Sequence, residues 1–181
     1  MAKLVVGMNM SLDGYVDHER FEPGPALFQH FIEQTRGLAG SIYGRGLYEL
    51  MQYWDADDFE LHAGADLEPL RAFADAWRRQ PKWVVSRWLE SVGPNATLLR
   101  ENFAEDIRRI KSEVEGRIDV GGPALAASLA KLGLIDEYQI YLRPYVLGKG
   151  RPYFTEAQPP LRLISNERVG EDAVCLTYAP A

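Results

Sequence analysis

Short apolar runs alternate with amphipathic stretches through the first three quarters of the chain. The β-branched run at 4–8 predicts a buried strand, and similar runs predict strands at 41–43, 82–86, 97–99 and 118–120. Apolar residues recur at helical spacing between these runs, over 26–36, 47–51, 67–77, 103–114 and 125–132. Asn102 followed by Glu105 predicts a capping pair at the start of one of these helices. Such alternation predicts an α/β fold, with a mostly parallel central sheet flanked by helices.

The last quarter of the chain has a different pattern. Segments 138–142, 161–169 and 173–178 are strand-like, and no long helical pattern separates them. Gly170, Glu171 and Asp172 predict a hairpin turn between the last two segments. We therefore expect an antiparallel C-terminal edge on the sheet. With 181 residues, 46% of them hydrophobic, the chain is long enough to bury one core, so we expect a single domain over 1–181.

Charge and composition narrow the classes of partner. The chain carries 26 acidic and 20 basic residues and has no Lys/Arg cluster, so we expect no nucleic-acid partner. Cys175 is the only cysteine, and His18, His30 and His62 lack the spacing of metal ligands on one helix face, so we expect no metal site. The N-terminal apolar run is too short for a signal peptide or a membrane span. We expect a cytoplasmic protein with no membrane partner.

Two glycine-bearing junctions between strands and helices are candidates for phosphate binding. In helix-flanked sheets, ligands bind outside the carboxyl ends of the strands, where helix N-termini expose backbone N–H groups. Gly44-Arg45-Gly46 adds a guanidinium to such a junction, and Gly121-Gly122-Pro123 removes side chains from another. Neither has the third glycine of a Rossmann fingerprint. Taken alone, each is equally compatible with a tight turn, but two in one sheet favour a nucleotide.

Two other junctions carry polar side chains. Ser86-Arg87 follows a predicted strand and suits a ribose phosphate, although a surface arginine is the favoured interpretation for this pair alone. The segment 9–15 follows the first strand and can orient a heterocycle or cap its own turn, and its spacing favours capping. No arrangement of Ser, His and Asp or of Cys and His that would activate a nucleophile can be assembled, which weakens a hydrolase interpretation.

An ordered set of segments resembles the dihydrofolate-reductase-like family, which includes riboflavin-pathway reductase domains and many small bacterial reductases. The segments are 9–16, 43–49, 82–87, 120–125, 133–138, 143–154 and 176–178. The resemblance spans nearly the whole chain. It implies a mostly parallel sheet with an antiparallel C-terminal edge and NADPH lying across the strand ends. It also implies hydride transfer to a small flat heterocycle, pterin- or pyrimidine-like, or to a carbonyl substrate.

The same resemblance implies roles for individual residues. Those that would approach the cofactor phosphates are Gly44, Arg45, Gly46 and Leu47. Those that would hold the pyrophosphate are Gly121, Gly122, Pro123, Ala124 and Leu125, with a cis peptide between the two glycines. Ser86 and Arg87 would face the adenosine ribose phosphate. The catalytic-site residues would be Asn9 and Ser11 beside the nicotinamide, and Asp13 and Tyr15 at the substrate mouth.

The chain departs from the family pattern at two places. Leu47 stands where relatives carry a threonine, and the lost bond to a phosphate is worth about 1.5–3 kcal/mol. No residue aligns with the carboxylate that dihydrofolate reductases use to hold the pterin. These departures motivate an alternative function, a ligand-binding protein that keeps the fold without turnover. A hydrolase with an unrecognised nucleophile is a third interpretation.

We expect a homodimer because of the apolar and aromatic segment 138–154. It lies near the predicted antiparallel edge, and relatives often pair there as two-fold dimers. The alternative is an ordinary core strand, and the sequence leaves both open.

Overall fold

The computed structural model of the chain describes residues 1–17, 20–57, 59–62, 67–158 and 160–181. The described residues form ten strands and six α-helices. In chain order these are β1 (Lys3–Met10), β2 (Tyr15–Val16), α1 (Pro25–Gly37), β3 (Gly40–Gly44), α2 (Arg45–Met51), α3 (Phe59–His62), α4 (Glu68–Arg79), β4 (Lys82–Val85), β5 (Ala96–Leu99), α5 (Phe103–Glu113), β6 (Arg117–Gly121), α6 (Pro123–Lys131), β7 (Glu137–Leu142), β8 (Arg151–Pro152), β9 (Leu161–Val169) and β10 (Ala173–Pro180).

Eight strands form one sheet in the order β5-β4-β3-β6-β1-β7-β10-β9. The six strands from β5 to β7 are parallel, and β10 pairs antiparallel with both β7 and β9. A tight turn at Gly170, whose φ of +62° suits glycine, joins β9 to β10. The predicted α/β class, the mostly parallel sheet and the antiparallel C-terminal edge are confirmed.

The two faces of the sheet differ in polarity, because successive side chains of a strand point to opposite sides. On one face, Leu4 and Val6 of β1 pack with Ile118 of β6 against apolar residues of α5 and α6. The opposite face lies under α1 and α4, where Leu27 packs against Tyr141 and where Trp77 packs against Tyr43. The face under α1 and α4 holds the polar residues described below.

β7 lies inside the sheet, between β1 and β10, and the outer strand is β9. Tyr138, Ile140 and Tyr141 of β7 are buried. For 138–142 the structure therefore matches the core-strand interpretation. The exposed apolar side chains of the expected dimer segment are Tyr145 and Val146, which follow β7.

Two local features differ from the sequence-based expectations. β2 and β8 form a separate two-stranded sheet through the pairs Tyr15↔Pro152 and Val16↔Arg151, and two residues are too few to show a period. Asn102 precedes α5 but makes no side-chain capping bond, so the predicted capping pair with Glu105 is wrong. The backbone of Asn102, at φ −95° and ψ 25°, is outside the extended region from which an N-cap side chain reaches the helix.

Candidate active site

A cavity of about 820 Å³ opens at the carboxyl ends of β1, β3 and β6. It extends under α1 and α4, whose Phe31, Phe73 and Trp77 line it, and α2 and α6 begin at its rim. Its volume is in the range of small-molecule sites, about 300–1,000 Å³. Of the predicted site residues, the cavity is lined by Asn9, Gly44, Arg45, Gly46, Leu47, Gly121, Gly122, Pro123, Ala124 and Leu125.

The two glycine-bearing junctions lie side by side at the rim. β3 and β6 are neighbouring parallel strands in which Tyr43 pairs with Gly121, so α2 and α6 begin next to each other. Gly122 precedes α6 with φ +102°, a conformation that L side chains rarely adopt, and no side chain caps the helix. The first-turn N–H groups of α6 therefore have no side-chain acceptor and are available to an anion.

Leu47 packs directly over the glycine pair. A Cβ added to Gly121 would lie 2.4 Å from Leu47 Cδ2 and 2.7 Å from Tyr43 Cδ1, so packing requires glycine at this position. A Cβ added to Gly46 would meet nothing within 4 Å. The Gly121–Gly122 peptide is trans, which corrects the cis bond that the family resemblance implied. Gly122 accommodates the turn through its positive φ instead.

Asn9 is held in the cavity wall by a buried arginine. Arg143 is fully buried, and its Nη1 donates to Asn9 Oδ1 at 3.2 Å. Its other N–H groups donate to the carbonyls of Phe21, Glu22 and Asp172 and to the Asp172 carboxylate. Because a guanidinium only donates hydrogen bonds, the oxygen of the Asn9 amide must face Arg143. The NH₂ group of Asn9 is left to donate elsewhere.

The other polar residues of the β1 turn do not line the cavity. The buried Ser11 Oγ accepts from the Tyr15 N–H at 2.9 Å. The Asp13 carboxylate accepts from the backbone N–H groups of Leu147 and Gly148, at 3.1 and 2.7 Å. A side-chain hydrogen bond with Ser11, together with these N–H groups, lowers the pKa of Asp13 to about 2. The Ser11 bond matches the capping interpretation, whereas Asp13 holds a distant loop. The catalytic roles of Ser11, Asp13 and Tyr15 stay predictions.

Ser86 and Arg87 lie at the same edge of the sheet, but outside the cavity lining. Val85 pairs with Gly44, so Ser86 is next to the start of α2. Ser86 Oγ accepts from the N–H groups of Trp88 and Leu89, both at 3.1 Å, which closes a local turn. Arg87 is exposed. The predicted contact of this pair with the ribose phosphate stays a prediction.

The floor of the cavity contains a carboxyl group that the sequence reasoning did not identify. Asp119 lies in the middle of β6, points to the face under α1, and lines the cavity. Burial raises the pKa of Asp119 to about 7, against the opposing effects of the Gly7 and Val120 N–H groups and of Arg117. The available signal was a charged residue between Ile118 and Val120 in a strand that ends at two glycines.

Polar side chains surround this floor. Gln34 of α1 donates to Gln139 Oε1 at 2.7 Å and to the Tyr141 hydroxyl at 3.0 Å. His30 Nε2 lies 3.0 Å from the same hydroxyl. Burial raises the pKa of Tyr43 and of Tyr141 above the usual value for tyrosine, so both rings stay neutral. The floor can therefore form several hydrogen bonds to a polar ring.

Metal-ligand clusters and membrane-spanning helices are both absent from the residues that the structure describes. Within them, no three or more His, Cys, Asp or Glu side chains are grouped to hold a metal ion. His18 and the side chain of His62 lie outside the described residues. No helix in the described ranges combines the length and the apolar character that a membrane crossing requires.

Comparisons with known proteins give one consistent family. A model of the RibD C-terminal domain matches residues 2–175. The chain is 23% identical to the uncharacterized Bacillus subtilis (strain 168) protein YyaP, over 97% of this chain and 94% of YyaP. A Shewanella sp. PV-4 protein provisionally named for riboflavin biosynthesis has a similar structure, with a TM-score of 0.71, 22% identity and coverage of 100% and 99% of the two chains. Enterococcus faecalis dihydrofolate reductase, in a complex with NADP(H), superimposes with a TM-score of 0.64 at 13% identity, over 98% of this chain and 95% of that one.

Proposed function

Because this chain belongs to the RibD C-terminal domain family, a reductase-type family, we propose that it is an NADPH-dependent reductase. The substrate is a small flat heterocycle, pterin- or pyrimidine-like, or a carbonyl compound. One observation carries the proposal: the glycine-bearing ends of β3 and β6 open side by side onto one cavity, with Arg45 at its rim. The likeness to a dihydrofolate reductase that binds NADP(H) supports the choice of cofactor.

The residues at the rim fit the phosphates of a dinucleotide. The α6 N-terminus has no side-chain cap, and Gly122 keeps its approach clear of a side chain. Gly46 leaves open space beside the half-exposed Arg45. Backbone N–H groups and a guanidinium fork are the donors that phosphate oxygens prefer.

The protein binds and orients both reactants. NADPH, when bound, supplies a hydride, which carries the two electrons of the reduction. Arg45 and the first turn of α6 hold the phosphates, and the Asn9 amide, fixed by Arg143, donates to the carboxamide end of the cofactor or to the substrate. Phe31, Phe73 and Trp77 exclude water from the cavity and provide an apolar wall for a flat ring.

Titration with NADPH, followed by tryptophan fluorescence, tests the proposal. We expect quenching that saturates, because Trp77 lines the cavity. Arg45→Ala should weaken NADPH binding by about tenfold, the effect of losing one charge-assisted bond. Arg79→Ala is the matched control, because Arg79 is an exposed arginine of α4 outside the cavity lining. An unchanged signal at millimolar NADPH would contradict the proposal.

A second candidate function is a ligand-binding protein without turnover. Leu47 favours it, because its side chain covers Gly121 with an apolar surface where a hydroxyl would bond a phosphate. Cofactor binding without NADPH oxidation across pterins, pyrimidines and quinones would support this candidate. Leu47→Thr is the sharper test: a tenfold gain in NADPH affinity with new oxidation activity would identify Leu47 as the cause of the loss.

We also propose a homodimer, with the loop after β7 in the interface. Tyr145 and Val146 are exposed apolar side chains there, and Val146 is 72% exposed. Light scattering should then give about twice the 20.4 kDa of one chain. A single 20.4 kDa species would exclude the dimer.

A further inference from the structure

We propose that Asp119 is the acid of the reaction: it donates a hydrogen bond, and then a proton, to the nitrogen or oxygen of the C=N or C=O bond that is reduced. The proposal rests on the reductase function above. It assigns the substrate to the cavity floor under α1, with its reducible bond reaching Asp119.

The shape of the floor supports this placement. Asp119 pairs with Val5 in the register of β6 and β1, and its carboxyl group reaches Gly7, where an added Cβ would lie 3.5 Å from Asp119 Oδ1. Glycine inside a strand removes a side chain where another group approaches closely. Gly7, Asp119 and Tyr141 all line the cavity, so the space above Gly7 is open to a ligand.

The nearby arginine is paired with another carboxylate rather than with Asp119. Arg117, two residues earlier on β6, pairs with Glu137 Oε2 at 3.0 Å. β3 presents neutral Tyr43, and β7 presents neutral Tyr141. The titratable group that α1 contributes to this network is His30, which bonds the Tyr141 hydroxyl.

A carboxyl group in such a place keeps its proton up to about neutral pH. Burial raises the pKa of Asp119 to about 7, close to the value at which an acid both keeps and donates a proton. A neutral carboxyl donates one hydrogen bond through its O–H, which can reach the nitrogen or oxygen of the reducible bond, and accepts another through its C=O. Together with the polar side chains of the floor, it favours flat polar heterocycles over simple ketones.

The step balances without a further reactant. The carbon of the C=N or C=O bond accepts the hydride with its two electrons, and the π electrons of that bond move to the nitrogen or oxygen. The same atom takes the proton of Asp119, which gives an amine or an alcohol, oxidised cofactor and an Asp119 carboxylate. A proton from water then restores the acid.

The first test needs neither cofactor nor turnover. Infrared spectra of the protein should show a carboxylic acid band that disappears as the pH rises through about 7 and that Asp119→Asn removes. The same titration should change the free energy of unfolding with pH. The Asp119 carboxyl keeps its proton in the folded chain up to about pH 7, whereas in the unfolded chain it loses the proton near pH 3.8. Stability from this group is thus present below pH 3.8 and is lost as the pH rises through about 7. A wild-type spectrum without the band at pH 6 would overturn the proposal.

The second test measures binding of pterin by its fluorescence. Asp119→Leu, which has neither donor nor acceptor, should weaken binding by about tenfold to a hundredfold, the loss expected when a buried hydrogen-bond partner is removed, and leave the NADPH affinity unchanged. Asp75→Leu, at an exposed position on α4, is the matched control. Gly7→Val should also block pterin while the infrared band persists, since it fills the space beside Asp119 and leaves the carboxyl in place.

The outcomes separate this proposal from the proposed function. If NADPH binds but pterin binds Asp119→Leu as tightly as wild type, the acid assignment fails and the reductase stands. If wild type binds pterin through Asp119 but never binds NADPH, the reductase fails and the floor site stands. With turnover, kcat of the wild type should fall as the pH rises through about 7, because Asp119 loses its proton there. Asp119→Asn should lack that decrease in kcat, and an identical decrease in both proteins would overturn the proton transfer.

Discussion

The four junctions predicted to carry function divide into two kinds. The glycine-bearing junctions after β3 and β6 line the cavity, whereas the serines of the polar turns after β1 and β4 bond their own backbone. Of the polar residues predicted in these two turns, Asn9 lines the cavity and Asp13 bonds a distant loop. In the polar turns, Ser11 and Ser86 each accept hydrogen bonds from N–H groups within four residues. A serine close to a turn is an acceptor already in place, while a glycine offers no side chain and leaves the backbone N–H groups to a ligand.

The largest expected effect is at Gly121. Gly121→Ala should lower the free energy of unfolding by about 1–3 kcal/mol and abolish NADPH binding, because its Cβ meets Leu47 and the Tyr43 ring. Differential scanning calorimetry and cofactor titration measure the two effects.

Gly46→Ala is the matched control, since its Cβ meets nothing within 4 Å and the position is helical. It should raise stability by up to about 1 kcal/mol. Equal destabilisation by both variants would show that the two glycines are not distinguished by packing.

A smaller effect is expected at Ser86. Ser86→Ala should cost about 1 kcal/mol of stability, because the N–H groups of Trp88 and Leu89 lose their acceptor. Its NADPH affinity should stay that of the wild type, since the Ser86 hydroxyl is engaged within its own turn. A tenfold loss of NADPH affinity with intact stability would place Ser86 with the cofactor-binding residues.

Arg87→Ala tests the neighbouring residue separately. An unchanged preference for NADPH over NADH in this variant would exclude a contact of Arg87 with the ribose phosphate.

The smallest effect is expected at Asp13, which is exposed. Hydrogen bonding lowers its pKa to about 2, so its stabilising contribution is present above the usual value of 3.8 and is lost as the pH falls towards 2. Asp13→Asn should therefore reduce stability at pH 6 and match the wild type near pH 2. Denaturant unfolding at several pH values measures this difference. A variant as stable as the wild type at pH 6 would contradict the role of Asp13 in holding the loop at Leu147 and Gly148.

The sequence was sufficient for most of the fold, because the strands are long enough to show their pattern. The predicted strand at 161–169 coincides with β9, and the predicted turn after it holds Gly170 at positive φ. β2 and β8 escaped prediction, since they exist only through pairing between residues far apart in the chain. The same limit applies to the Asn102 cap, whose geometry depends on the backbone angles of one residue.

The candidate site divides in the same way. The glycines and the adjacent arginine form short motifs that the sequence shows, and of these glycines packing requires Gly121 and a positive φ favours Gly122. The floor is not evident in the sequence, because Gln34 meets Tyr141 across 107 residues and nothing local marks either as part of a ligand site. Asp119 was also missed, although a charged residue inside an apolar strand was a signal that could have found it.

The hydrogen bonds of the buried Arg143 guanidinium connect segments that the ribosome makes at very different times. The guanidinium joins β1, through Asn9, to the loop at Phe21 and Glu22 and to Asp172 in the last hairpin. β1 itself lies between β6 and β7, which begin at Arg117 and Glu137. A chain still emerging from the ribosome has its first strand without a neighbour until β6 is made, and its first loop without this tether until Asp172 is made. Asn9 is thus fixed in the cavity wall only after most of the sheet has been synthesised.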